Sequence, residues 1–235
     1  MSTLGLLALT LGPGLFVLGW IYIKDKYEKE PLSLLLFAFL AGAVSALQVL
    51  HASEWWVRQG FGVSPTNVIA TAFYAFVSVG ATEEIFKLLV VLIFLFPRKE
   101  FNEPFDGIVY CTAVAMGFAT AENLLYVYVN SDPSEATWIA LMRMFTAVPA
   151  HATFAILMGF FIGHAKFNSY RKMYIGLGFL TASLMHGAYD FFLFIQNIPG
   201  MSIGAALSLV IGVRYARKAI AYNQLVSPFN PHEPE

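Results

Sequence analysis

The chain has 235 residues, of which 58% are hydrophobic and only 12% charged, and its net charge is −1. Soluble domains carry about 25% charged residues, so this chain has too little polar side chain to cover a soluble globule, and its near-neutral total gives no sign of a nucleic-acid partner. The single cysteine, Cys111, excludes an intrachain disulfide and a cysteine-based metal site.

In chain order the apolar runs fall near 4–23, 32–50, 68–96, 107–129, 137–164, 173–195 and 199–221. Each is close to the ~20 residues that a helix needs to cross a bilayer core. The pattern predicts an all-α, polytopic transmembrane helix bundle of about seven spans, or eight if the long third run is broken. No basic residue precedes the first run, which therefore reads as a retained span and not as a cleaved signal peptide. The third and fifth runs are long enough to tilt, kink or pass beyond the membrane surface. Pro149 predicts a bend in the fifth, just before His151. No internal repeat divides the chain. Residues 1–226 are expected to form one transmembrane domain, and 227–235, with three prolines, a flexible cytoplasmic tail.

Basic residues set the orientation. Lys24, Lys26 and Lys29 follow the first run, Arg98 and Lys99 the third, Lys166, Arg171 and Lys172 the fifth, and Arg214, Arg217 and Lys218 the last. Eleven of the 14 Lys and Arg thus share one side, and the opposite loops hold only Arg58. This predicts an outside N-terminus and an inside C-terminus.

The two remaining basic residues, Lys87 and Arg143, lie inside runs, together with Glu83, Glu84, Glu122, His151, His186 and Asp190. A charge at mid-bilayer costs about 2.5–3.5 kcal/mol on insertion scales, so these groups are expected to face one another inside the bundle. Counted from the outer ends of their runs at 1.5 Å per residue, Glu83, Glu122, His151 and His186 fall roughly 12–23 Å deep. Polar groups from four runs therefore share one slab in the outer half to middle of the membrane, with Arg143 and Asp190 slightly above it.

Glu83 and Glu84 are respectively four and three residues before Lys87, within reach of its ammonium. A structural ion pair needs one acid; a second one asks for another job, such as activating water. Glu122 alone reads equally well as a buried protonated acid. Near it, Gly117, Ala119 and Ala121 allow close approach of another helix. His151 alone reads as hydrogen-bonded packing. His186 and Asp190 share a helix face, so the aspartate can orient the imidazole or be a ligand itself. Two histidines with carboxylates suit Zn²⁺, with a further glutamate as general base. Serine chemistry is weaker, because Ser78, Ser183 and Thr120 lie in no nucleophile-elbow pattern. Phe105-Asp106-Gly107 reads as a helix start.

Taken together, Glu83-Glu84-x-x-Lys87, Phe105-Asp106-Gly107, Gly117-Phe118-Ala119 with Glu122-Asn123, Arg143, His151 and His186-x-x-x-Asp190 resemble the PrsW family of intramembrane proteases. That family lies within the superfamily of the CAAX-processing prenyl endopeptidases. Where the prenyl endopeptidases carry a histidine four residues after a phenylalanine, this chain has Phe118-x-x-x-Glu122. The resemblance covers about residues 80–190. It implies a polytopic protease of the bacterial cytoplasmic membrane that cuts a membrane-anchored protein, an anti-sigma factor in the family role, on its extracytoplasmic side, with water activated by a glutamate, on a metal or without one.

The expected assignment has Glu83 or Glu84 as general base and Glu122, His151 and His186 as Zn²⁺ ligands. Asp190 is a ligand or orienter, Lys87 the partner of the acids, and Asn123 or Arg143 an oxyanion donor. Two other classes fit part of the pattern. An ion- or proton-coupled transporter would also bury Glu and His, but the sequence shows no inverted repeat. A non-catalytic scaffold rests on the span count alone.

Overall fold

A computed structural model describes residues 2–64, 67–195 and 198–231, and among them all regular structure is helical. The elements are α1 (Thr3–Lys24), α2 (Leu32–Arg58), α3 (Val68–Phe73), α4 (Thr82–Val90), α5 (Pro104–Tyr128), α6 (Ala136–Phe145), α7 (Ala147–Phe167), α8 (Arg171–Phe194) and α9 (Ser202–Leu225). Five helices are long and apolar enough to cross a membrane: α1, α2, α5, the α6–α7 pair and α8. The other two expected spans depart from that rule for visible reasons. The 68–96 run changes winding along its length, and α9 carries Arg214, Arg217 and Lys218.

The third run is not broken. Its chain stays helical from Val68 to Leu95, but Tyr74–Ala81 and Val91–Leu95 are wound as π-helix on either side of α4. Wider π turns inside α-helices concentrate at functional sites, and Glu83 and Glu84 stand in the first turn after one of them. The fifth run is interrupted, three residues earlier than its proline. Thr146 (φ −119°, ψ −67°) ends α6 and starts α7. Pro149 has no N–H to offer the Phe145 carbonyl, and its ring crowds that oxygen. The break therefore falls N-terminal to the proline.

Helix α5 is the axis of the bundle. Every residue from Phe105 to Thr120 is buried, and α1, α2 and α7 pack around it. Asp106 fastens its start, accepting from the backbone N–H of Asn102 (2.6 Å) and Glu103 (2.8 Å). Its small residues permit the packing. A Cβ on Gly117 would run into the backbone of Phe39 in α2, and one on Gly163 of α7 into the carbonyl of Pro104. Gly163→Ala is expected to cost about 1–3 kcal/mol by forcing two backbones apart. Thermal unfolding of the purified protein reads this; an unchanged Tm would mean that the α5–α7 contact yields freely.

The C-terminal stretch begins packed. Ser227 is fully buried, and the Gln224 side chain donates to the Lys24 carbonyl (2.5 Å). The last four residues of the expected tail, 232–235, lie outside the described residues.

Candidate active site

Five helices deliver the ionisable residues to one place. Glu83, Glu84 and Lys87 come from α4, Glu122 and Asn123 from α5, Arg143 from α6, His151 from α7, and His186 and Asp190 from α8. Each is buried or nearly so. Apolar lipid supplies no hydrogen bonds, so each group must find a partner within the bundle.

They form one continuous network. The Lys87 ammonium donates to Glu84 Oε1 (2.8 Å) and Glu83 Oε2 (3.3 Å), stands 3.0 Å from His151 Nδ1, and lies 4.1 Å from the centre of the Phe118 ring. His186 Nδ1 meets Glu84 Oε1 (2.9 Å), while its Nε2 faces Asp190 Oδ2 (3.3 Å) and Glu83 Oε2 (3.8 Å). His151 Nε2 meets Glu122 Oε2 (3.0 Å). Arg143 binds the same Glu122 oxygen through Nη2 (2.5 Å) and Asn123 Oδ1 through Nε (2.6 Å). Its guanidinium also covers the Tyr126 ring at 4.1 Å.

A cavity of about 460 Å³ opens onto this network. Glu83, Glu122, Arg143, His151, His186 and Asp190 line it, whereas Glu84, Lys87 and Asn123 lie behind the wall. The two adjacent glutamates thus have different surroundings. Glu84 is held between Lys87 and His186, away from the cavity. Glu83 meets both Lys87 and His186 through Oε2, leaving Oε1 without a partner among the described residues. Asn123, expected as an oxyanion donor, instead serves Arg143 and directs its amide at the Thr10 carbonyl (3.5 Å).

Glu83, His151 and His186 each place one donor atom within 4.8 Å of the other two. Two imidazoles and one carboxylate are a donor set that Zn²⁺ accepts. The electrostatics agree. Four acidic side chains (Glu83, Glu84, Glu122, Asp190) face two permanently basic ones (Lys87, Arg143), an excess of acids over Lys and Arg that suits a divalent cation. Each histidine also has a carboxylate beside one ring nitrogen, Glu122 at His151 Nε2 and Glu84 at His186 Nδ1, a contact of the kind that orients an imidazole. Glu122, expected among the ligands, is occupied by Arg143 and His151, and Glu83 stands in its place in the close triad.

Aromatic residues that the sequence did not single out complete the walls. Phe154 stacks on His186 (centroids 4.9 Å apart, 23° between planes), and Tyr74 and Tyr189 line the cavity. Spacing held a signal for two of them, because Phe154 and Tyr189 are each three residues after a site histidine and so share its helix face.

A family profile described as PrsW family intramembrane metalloprotease matches residues 30–216. Among individual proteins, the chain is 36% identical to Protease PrsW of Geobacillus kaustophilus over 200 residues, 85% of this chain and 84% of that protein. It is 34% identical to Protease PrsW of Clostridioides difficile (82% and 81% covered). Protease PrsW of Bacillus subtilis is 32% identical over 92% of this chain and 95% of its own length. No solved structure matches.

Proposed function

This chain belongs to the PrsW family of membrane proteases, and on that premise we propose that it is an endopeptidase hydrolysing a peptide bond of a membrane-anchored protein within the 460 Å³ cavity. One observation carries the reading: Glu83, His151 and His186 converge on the cavity wall, with a donor atom from each within 4.8 Å of the others.

Glu83 is the general base. It reaches the cavity and keeps one oxygen free, so it can take the proton as water adds to the scissile carbonyl carbon. His186 Nε2, beside Glu83 and Asp190, is placed to hand a proton to the leaving nitrogen as the C–N bond breaks. Glu84 and Lys87 hold α4 and α8 in register behind the wall. Arg143 clamps Glu122, which in turn orients His151. Where a divalent metal ion is bound, Glu83, His151 and His186 would hold it, and the Lewis-acid polarisation and acidified water it would supply would stand in place of the proton transfers by Glu83 and His186.

The cavity wall extends to Ser53 near the end of α2 and Asn130 just past α5. That end of the bundle is opposite the loops rich in lysine and arginine. With the positive side inside, water and substrate enter from the extracytoplasmic face of the bacterial cytoplasmic membrane. An anti-sigma-factor-like, single-span substrate suits that placement.

The purified protein in liposomes, mixed with a single-span reporter, tests the reading. Glu83→Ala and His186→Ala are expected to abolish cleavage while the protein stays folded; full activity in both would remove the protease assignment. Elemental analysis tests the metal. One zinc per chain is expected in the parent protein and none in His186→Ala, and equal zinc in both would detach the ion from this triad.

A further inference from the structure

Helix α9 carries its cations on the outside of the bundle. Arg214, Arg217 and Lys218 are all exposed, and as i, i+3 and i, i+4 neighbours they share one helical face. Two side chains further along fix their depth. Asn223 donates to the carbonyl of Pro104, the first residue of α5, and Gln224 to that of Lys24, the last of α1. Residues 223–224 therefore stand level with the ends of two spans. Counted back at 1.5 Å per residue, Lys218 lies about 8 Å and Arg214 about 14 Å inside that level. Earlier in the same helix Ile203, Leu207 and Val210 are turned outward, so the cations continue a face that is otherwise apolar.

These charges go unanswered inside the bundle. Among the described residues no carboxylate pairs with any of the three, and the Lys218 ammonium finds only the Tyr215 ring, 5.7 Å from its centre. By contrast, Lys29 and Lys166 bond backbone carbonyls, and Arg171 lies over the Phe96 ring. Like charges at the spacings of α9 repel one another, so this face calls for an anion. Beside it runs an apolar groove of about 510 Å³ between α7, α8 and α9. Leu157, Phe160 and Phe161 of α7, Met185 of α8 and Ile211 and Tyr222 of α9 line it, and Lys218 belongs both to its wall and to the basic face. From Ile211 to Tyr222 the groove follows α9 for about 16 Å. One leaflet contributes about 15 Å of hydrocarbon, half of a bilayer core. The groove is thus as long as one leaflet is deep.

We infer that this groove seats one acyl chain of an anionic phospholipid, whose headgroup phosphate is held by Lys218 and Arg214 with Arg217 alongside. Long basic side chains keep their stems in the apolar zone and reach with their charged ends for the membrane surface. The leaflet is the one at the lysine- and arginine-rich end, where anionic headgroups attract basic residues. A zwitterionic lipid brings its own cation to the phosphate and leaves the charge of α9 unbalanced. The seated chain touches α7, α8 and α9 together. It fastens α9 to the two helices that carry His151 and His186.

The test uses the full chain, delipidated in a neutral detergent, with dioleoyl phosphatidylglycerol or dioleoyl phosphatidylcholine as probe. Native mass spectrometry is expected to show one phosphatidylglycerol retained per chain, about tenfold or more tighter than phosphatidylcholine. At about 100 times its Kd, phosphatidylglycerol is expected to raise Tm by on the order of 5 °C. Arg214→Gln/Lys218→Gln is expected to bind the two lipids alike. Ile211→Trp, which fills the groove from its exposed side and keeps every cation, is expected to lose the bound phosphatidylglycerol. A Tm in phosphatidylcholine within about 2 °C of the parent's certifies the fold of each variant. If the double variant does not fold, Lys218→Gln alone reads the same contact as a loss of about fivefold. Equal retention of both lipids by the parent overturns the proposal, as does a preference for phosphatidylglycerol that survives the charge substitutions. So does an undiminished response in Ile211→Trp, or an equal rise in Tm with inorganic phosphate, which would mark an ion site only. A dimer that ignores both lipids would likewise overturn it and give the groove to a second copy of the chain. None of these readouts uses cleavage, so the outcome is independent of the protease reading.

Discussion

Glu83→Gln is expected to slow cleavage of a membrane-anchored reporter by about 10²–10⁴-fold, the usual loss when a general base is removed, while leaving the fold intact. Glutamine keeps the shape of the side chain, and Lys87 retains Glu84 at 2.8 Å. What disappears is the carboxylate on the cavity wall. Glu84→Gln is the informative contrast. Its carboxylate lies behind the wall between Lys87 and His186, so its loss acts through the position of His186 and through stability. Initial rates in liposomes, paired with Tm for each variant, separate the two effects. A Glu83→Gln protein that cleaves within tenfold of the parent would exclude Glu83 as the base.

The largest stability change is expected at Lys87. Its ammonium meets both Glu83 and Glu84, with all three side chains nearly inaccessible. Lys87→Met keeps the length of the side chain but leaves two buried carboxylates without their shared cation. Breaking one partner of a buried pair costs about 3–5 kcal/mol, because the remaining charge is uncompensated. Lys87→Met/Glu84→Gln is expected to recover much of that loss, since the amide no longer demands a cation; the two substitutions should therefore be far from additive. Equilibrium unfolding in mixed micelles gives the three free energies. Additive effects, or a loss under 1 kcal/mol in Lys87→Met, would mean that the lysine is not the counter-charge of the glutamates.

Composition and the spacing of apolar runs were sufficient for the membrane class and for an all-helical chain, because a bilayer leaves a spanning backbone few alternatives. The buried acids and histidines were legible for the same reason. Isolated in lipid they are costly, so their presence on four runs at one depth already required that they meet. Gly117 also showed in advance where a neighbouring helix comes close, and that neighbour is α2.

The sequence could not say which of two adjacent glutamates faces the cavity. Side chains about 100° apart on a helix are equivalent until the neighbouring helices are in place. Only α8, bringing His186 against Glu84, assigns the inner position to one and the cavity wall to the other. Likewise, Glu122 was open to several roles until α6 set Arg143 on it, and the break at Thr146 allows α6 to come in at that angle. Glu28, Glu30 and Asp106, whose carboxyl groups meet near the start of α5, were hidden for a different reason. Glu28 and Glu30 are over 70 residues before Asp106 in the chain, and no local pattern joins them. Their meeting depends on α1, α2 and α5 packing closely through small residues. The charges inside the membrane were thus written in the chain, whereas their partners were decided by which helices touch.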